Sequence, residues 1–272
     1  MTLRRVLPSD PADFLRSIVP LALLAFAAVE DQARLPVLLV LGVGTAVAAS
    51  RAAPVRWAWA ATLPVALALA WGGLTSPSIA TDRSSCTDPA SALASMRIVE
   101  ALVVLAAVTI LAVVLRANAA SIGLRMPARR YVRWAILGFL VTGPVALIAG
   151  PYLAQPFFGD VGYELVPAAI VPALIFAVSN GVAEEVAYRG VLLLWSARVM
   201  GTGPALIGQA LVFGLAHSGT DVSGSPIPLM LALGIGGLLA GVIALRTRSL
   251  LIPIAVHIGF DLPIYYAFAC PN

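Results

Sequence analysis

Lysine is absent from this chain of 272 residues, and only 11% of its residues are charged. All 17 cations are arginines, set against 13 carboxylates, and there are two histidines and two cysteines. A chain so poor in charge has no solvated surface of the ordinary soluble kind. Its formal net charge of +4 does not point to nucleic acid, because most arginines flank apolar runs and no nucleic-acid module is present. Cys86 and Cys270 show neither a CxxC pair nor a metal-ligand spacing, so they build no zinc site by themselves. Internal repeats and low-complexity tracts are also missing, as is the alternation that porin-like strands would require.

What is present is hydrophobic: 60% of the residues, with a mean hydropathy of +0.97. Apolar runs suited to crossing about 30 Å of hydrocarbon recur at 17–29, 35–49, 57–75, 98–115, 134–153, 168–198, 204–217, 226–245 and 250–267. The expected fold class is all-α, a polytopic helical membrane protein with about 8 to 9 transmembrane helices.

The arginines assign sides. With the N-terminus inside, the inner segments collect Arg4, Arg5, Arg16, Arg51, Arg56, Arg116, Arg125, Arg129, Arg130, Arg133, Arg198, Arg246 and Arg248. The outer loops hold Arg34, Arg83 and Arg97, together with Glu30, Asp31, Asp82, Asp88, Asp160, Glu164 and Asp221. This asymmetry is the positive-inside pattern and predicts a multi-pass cell-membrane protein with a cytoplasmic N-terminus. Cys86 and Cys270 then fall on the outer side, where oxidation is permitted. A disulfide between them and a pair of separate thiols are equally compatible with that placement.

Three regions are expected. Residues 1–115 form a four-helix membrane portion, 116–133 a basic cytoplasmic connector lying along the headgroups, and 134–268 the portion that holds the candidate chemistry.

That chemistry centres on Asn180 to Gly190, NGVAEEVAYRG, inside an otherwise apolar segment. Charge at bilayer depth is costly, so such residues default to a functional hypothesis. Helical spacing pairs Glu185 with Arg189 and turns Glu184 about 100° away around the axis. Glu185 is therefore the structural member, and Glu184 is free to face other helices. The plainer reading is a buried ion pair that only fixes packing.

Both histidines follow, each with a neighbour four residues away on its own helical face: Phe213 with His217, and His257 with Asp261. At 1.5 Å per residue, Glu184 lies roughly 21 Å from the inner end of its helix, His217 roughly 20 Å, Asp261 roughly 17 Å and His257 roughly 11 Å. Four polar residues on three spans could thus meet in the inner to middle part of the bilayer, in a cavity that admits water. A carboxylate beside an imidazole activates water, and a second imidazole with a polar neighbour binds an oxyanion. The set Glu184, His217, His257 and Asp261 also suits Zn²⁺ with an open coordination position. A chain of histidines and acids could instead relay protons in a transporter.

EEVAYR at 184–189, FGLAH at 213–217 and HIGFD at 257–261 resemble the EExxxR, FxxxH and HxxxN or HxxxD motifs of the CPBP family of intramembrane proteases. That family includes the type II CAAX prenyl endopeptidases, the ABI proteins and bacteriocin self-immunity proteins. The resemblance covers about residues 130–268. It implies that Glu184 activates water together with His217, that Glu185, Arg189 and Phe213 support the site, and that His257 with Asp261 stabilises an oxyanion or binds metal. Asp261 stands where many members have asparagine, and an ionised carboxylate donates no hydrogen bond. It must hold a proton, orient His257 or bind a metal.

The substrate expected from this reading is a membrane-embedded or lipidated peptide. The final residues ACPN lack the CaaX spacing, and the lysine-free, alanine-rich composition points to a GC-rich bacterial genome, so a prenylated substrate is not implied. Two readings of other classes use the same residues. One is a non-enzymatic bacteriocin-immunity or scaffold protein that keeps the motifs for packing. The other is a proton-coupled transporter, against which stands the absence of paired repeats.

Overall fold

The structure, a computed structural model, describes residues 10–51, 53–75, 86–158, 162–218 and 227–271. Among these residues no strand forms, and each of the nine apolar runs becomes a helical rod. In order they are α1 (Pro11–Val29), α2 (Arg34–Ser50), α3 (Arg56–Thr75), α4 (Ala92–Val114) and α5 (Arg129–Phe158). A long rod follows, made of α6 (Ile170–Glu184), a π-helical segment (Glu185–Leu193) and α7 (Leu194–Met200). The last three are α8 (Thr202–Leu215), α9 (Ile227–Thr247) and α10 (Leu251–Ala269). Among the described residues, seven helices are long and apolar enough to cross a membrane, and α8 is a shorter apolar helix.

The distribution of side chains matches a lipid solvent. Leu102, Ile110, Val113, Ile148, Leu231 and Leu239 are exposed, whereas Glu185, Arg189, Gln209 and Asp261 are buried. A soluble protein reverses this arrangement. Helices satisfy their own backbone groups, which is what hydrocarbon demands of any spanning segment. The chain is an all-helical, multi-pass membrane protein.

Two local features differ from the sequence expectation. The side chain of Ser91 accepts the Ala94 N–H and caps α4 well before residue 98. Arg97 therefore lies inside the second turn of a helix instead of in an outer loop.

The connector also does more than follow a surface. Asn118 caps a 3-10 turn, Ala119–Ile122, which ends at Gly123 with φ +74°. Ile122 is buried, and the Leu250 N–H donates to the Gly123 carbonyl at 3.2 Å. A Cβ on Gly190 would come within 2.8 Å of the Ile122 carbonyl, so glycine is what lets this turn press on the π segment. Residues 129–133 already belong to α5.

α10 packs against α5 and α6, α4 against α3 and α6, and α8 against α9 and α1. Leu24, Leu41, Val65 and Val104 share one core with Leu192, Trp195, Phe213 and Leu250. Helices from both sides of residue 115 thus enclose the long rod. Cys86 and Cys270 are bonded, with Cα atoms 5.3 Å apart, and join the approach to α4 to the end of α10. The Tyr265 hydroxyl donates to the Cys86 carbonyl at 3.0 Å. Of the charges used to assign sides, Arg4, Arg5, Asp82, Arg83, Asp160 and Asp221 lie outside the described residues.

Candidate active site

The site is built around the place where the long rod changes from α to π winding. The wider i→i+5 turn begins at Glu185, directly after Glu184. Such segments recur at functional sites, because they shift the faces that neighbouring residues present. Within this one, Arg189 Nη1 donates to Glu185 Oε1 at 2.9 Å, and both side chains are 1% exposed. The i,i+4 pair expected from the sequence is thus present. The guanidinium also lies over Phe213 of α8, 4.1 Å from the ring centroid, and 5.8 Å from that of Tyr188.

Glu185 has a second partner. His257 Nδ1 donates to the same Oε1 oxygen at 2.8 Å, which leaves Nε2 as the nitrogen that faces the site. Nε2 lies 3.6 Å from Glu184 Oε2 and 3.6 Å from Asp261 Oδ1. Asp261 Oδ2 accepts from Asn180 Nδ2 at 3.1 Å. The group that orients His257 is therefore Glu185, reached across helices, and Asp261 sits on the opposite nitrogen. Gly181 lets α10 come this close: a Cβ there would stand 3.2 Å from Ile258 Cγ1 and 3.6 Å from His257 Cβ.

The two adjacent acids thus differ sharply. Glu185 is locked by two donors, whereas Glu184 Oε2 is buried without a hydrogen-bond partner. The imidazole nearest Glu184 is His257, where the sequence reading placed His217. His217 donates from Nδ1 to the Phe213 carbonyl at 2.7 Å, which leaves its Nε2 as an acceptor. Its ring is 4.9 Å from the Phe213 ring, which is itself 6.3 Å from His257. Phe213 thus stands in contact with both imidazoles and with Arg189. The charge of Arg97 acts on Glu184 from α4.

Glu184 also lines a small recess between α3, α4 and the long rod. Arg97 and Glu100 of α4 face into it as an ion pair, 2.6 Å apart, alongside Ser179, Asn180 and Tyr188. Sequence reasoning gave none of these residues a role. Asn180 stands four residues before Glu184, one turn away on the same face, and that spacing was a usable signal. The RIVE spacing of Arg97 and Glu100 was another, hidden by the misplaced start of α4.

The four proposed metal ligands do not converge. Among the described residues, no group of three or more His, Cys, Asp or Glu side chains is arranged to hold a metal ion. Glu184, His217, His257 and Asp261 thus form no ready-made Zn²⁺ site among the described residues.

Residues 166–263 match the family model described as type II CAAX prenyl endopeptidase Rce1-like. No curated protein and no solved structure matches the chain. The matched stretch contains all three motifs and every residue of the Glu184, Glu185, Arg189, His217, His257 and Asp261 group. Over that stretch the chain is similar to the type II CAAX prenyl endopeptidases.

Proposed function

We propose that the chain is an intramembrane endopeptidase that hydrolyses a membrane-embedded or lipidated peptide with water activated by Glu184. The observation that carries this reading is the contrast between two adjacent carboxylates. One is held by Arg189 and His257, and the other has a buried oxygen with no partner, beside an imidazole and a recess. An unpaired buried oxygen of this kind is where a water binds best.

In this mechanism the water lies between Glu184 and the free Nε2 of His217. Glu184 takes one proton as the water oxygen attacks the peptide carbonyl carbon. The carbonyl oxygen becomes an oxyanion, and His257 in its imidazolium form donates to it from Nε2 while Nδ1 stays bonded to Glu185. Glu184 then passes its proton to the departing nitrogen, the C–N bond breaks, and an amine and a new carboxylic acid leave, the acid releasing its proton to solvent as it ionises. Asp261, held by Asn180, balances the charge on His257. We place the protein in a bacterial inner membrane with the N-terminus cytoplasmic, on the arginine asymmetry.

The test is cleavage in proteoliposomes of a panel of single-span and lipid-anchored peptides, in ¹⁸O-labelled water, read by mass spectrometry. The expected result is one internal cut per cleaved peptide, with ¹⁸O in the new carboxylate and no cleavage of soluble peptides. Uncleaved panels, or products without ¹⁸O, would contradict hydrolysis.

A further inference from the structure

A second polar group lies at another end of the long rod, away from Glu184. The end of α2, the start of α3 and the end of α7 meet there over a small floor of Ala48, Val55 and Val199. Two guanidiniums converge on the indole of Trp57. Arg198 Cζ lies 3.8 Å from the ring centroid and Arg56 Cζ lies 5.7 Å from it. Trp195 supports the ring edge-on at 5.3 Å.

Like charges repel, and more strongly where water is scarce. Here the charge that acts on Arg198 is that of Arg56. Among the described ion pairs, none joins Arg198 to a carboxylate. Arg198 Nε is buried without a hydrogen-bond partner, although the residue as a whole is half-buried and within reach of the surface. Arg51, in the adjoining turn, is exposed.

The ring face fixes Arg198 through a cation–π contact, which leaves its N–H groups free for an anion. Arginine matches phosphate oxygens with paired N–H donors, and tryptophan is at home at headgroup depth. Both arginines sit where α2 gives way to α3 and α7 to α8, at helix ends that the arginine asymmetry assigns to the inner headgroup side.

We propose that Arg198 and Arg56, held on Trp57, bind the phosphate of an anionic membrane lipid.

The test is native mass spectrometry of the full chain in detergent, titrated with phosphatidylglycerol, phosphatidylcholine or inorganic phosphate. Wild type is expected to retain one phosphatidylglycerol and to release phosphatidylcholine. Arg198→Gln should weaken retention at least tenfold, Arg56→Gln should weaken it as well, and Arg198→Lys should fall between wild type and Arg198→Gln. Arg133→Gln, at an exposed arginine of α5, should bind as wild type does. Size-exclusion profiles identify any variant that has lost its fold, and Arg198→Lys with Arg56→Gln then carries the comparison. Unchanged retention in folded Arg198→Gln, or an equal loss in Arg133→Gln, would overturn the proposal. Displacement of the lipid by millimolar inorganic phosphate would overturn the lipid as the source of the anion.

Discussion

Nδ1 of His257 lies 2.8 Å from Oε1 of Glu185, joining two helices whose residues are 72 positions apart. The same oxygen accepts from Arg189, so one buried carboxylate holds a cation on its own rod and an imidazole on α10.

Glu185 should therefore matter through orientation. Glu185→Gln keeps the shape but weakens its hold on both donors, and activity should fall about 100-fold or more. The loss should appear in kcat, with KM little changed. A large KM effect with kcat intact would place Glu185 in substrate binding instead.

Arg189→Ala should act on the fold. It strands Glu185 as a buried charge, a change that costs about 3–5 kcal/mol in comparable pairs. Thermal unfolding in detergent should show a clearly lowered midpoint. An unchanged midpoint would mean that His257 alone compensates Glu185.

Much of this was legible in the sequence. Each apolar run became a helix, because hydrocarbon permits little else, and the Glu185–Arg189 pair followed from i,i+4 spacing. Depth arithmetic gathered the four polar residues in one part of the bilayer but set His217, not His257, level with Glu184, because depth along an axis says nothing of angle around it. His217 turns toward its own Phe213 carbonyl, and His257 takes the place beside Glu184. The π segment packs against α3, α8 and the 119–122 turn, and no local pattern announced its winding. Asn180 meets Asp261 only through tertiary contact, whereas Arg97 pairs with Glu100 along α4 and reaches Glu184 only across the recess.

Arg97 is the first of these worth testing, since it comes from a helix outside the matched stretch. Its charge acts on Glu184 across the recess. Arg97→Gln should lower kcat/KM by roughly tenfold, as expected from removing one partly screened charge near a reacting carboxylate. Arg133→Gln serves as the control and should leave kcat/KM unchanged.

The bond between Cys86 and Cys270 closes a span of 184 residues. Peptide mapping without reductant should recover the two cysteines linked. Cys86→Ser should lower stability by about 2–4 kcal/mol. Recovery of both as free thiols from oxidising membranes would contradict the pairing.

Chelation separates the remaining chemistry. The ligand geometry predicts that dialysis against a strong chelator leaves hydrolysis unchanged, and that elemental analysis finds less than stoichiometric zinc in active protein. Activity lost on chelation and restored by Zn²⁺ would show that the four side chains rearrange around a metal.

The most direct test is the proteoliposome assay on Glu184→Gln beside wild type. Loss of the attacking base should reduce cleavage by about 10²- to 10⁴-fold, while the unfolding midpoint stays within the wild-type range, because Glu184 Oε2 has no bond to lose. Full cleavage by a folded Glu184→Gln protein would contradict the assignment of Glu184 as the base.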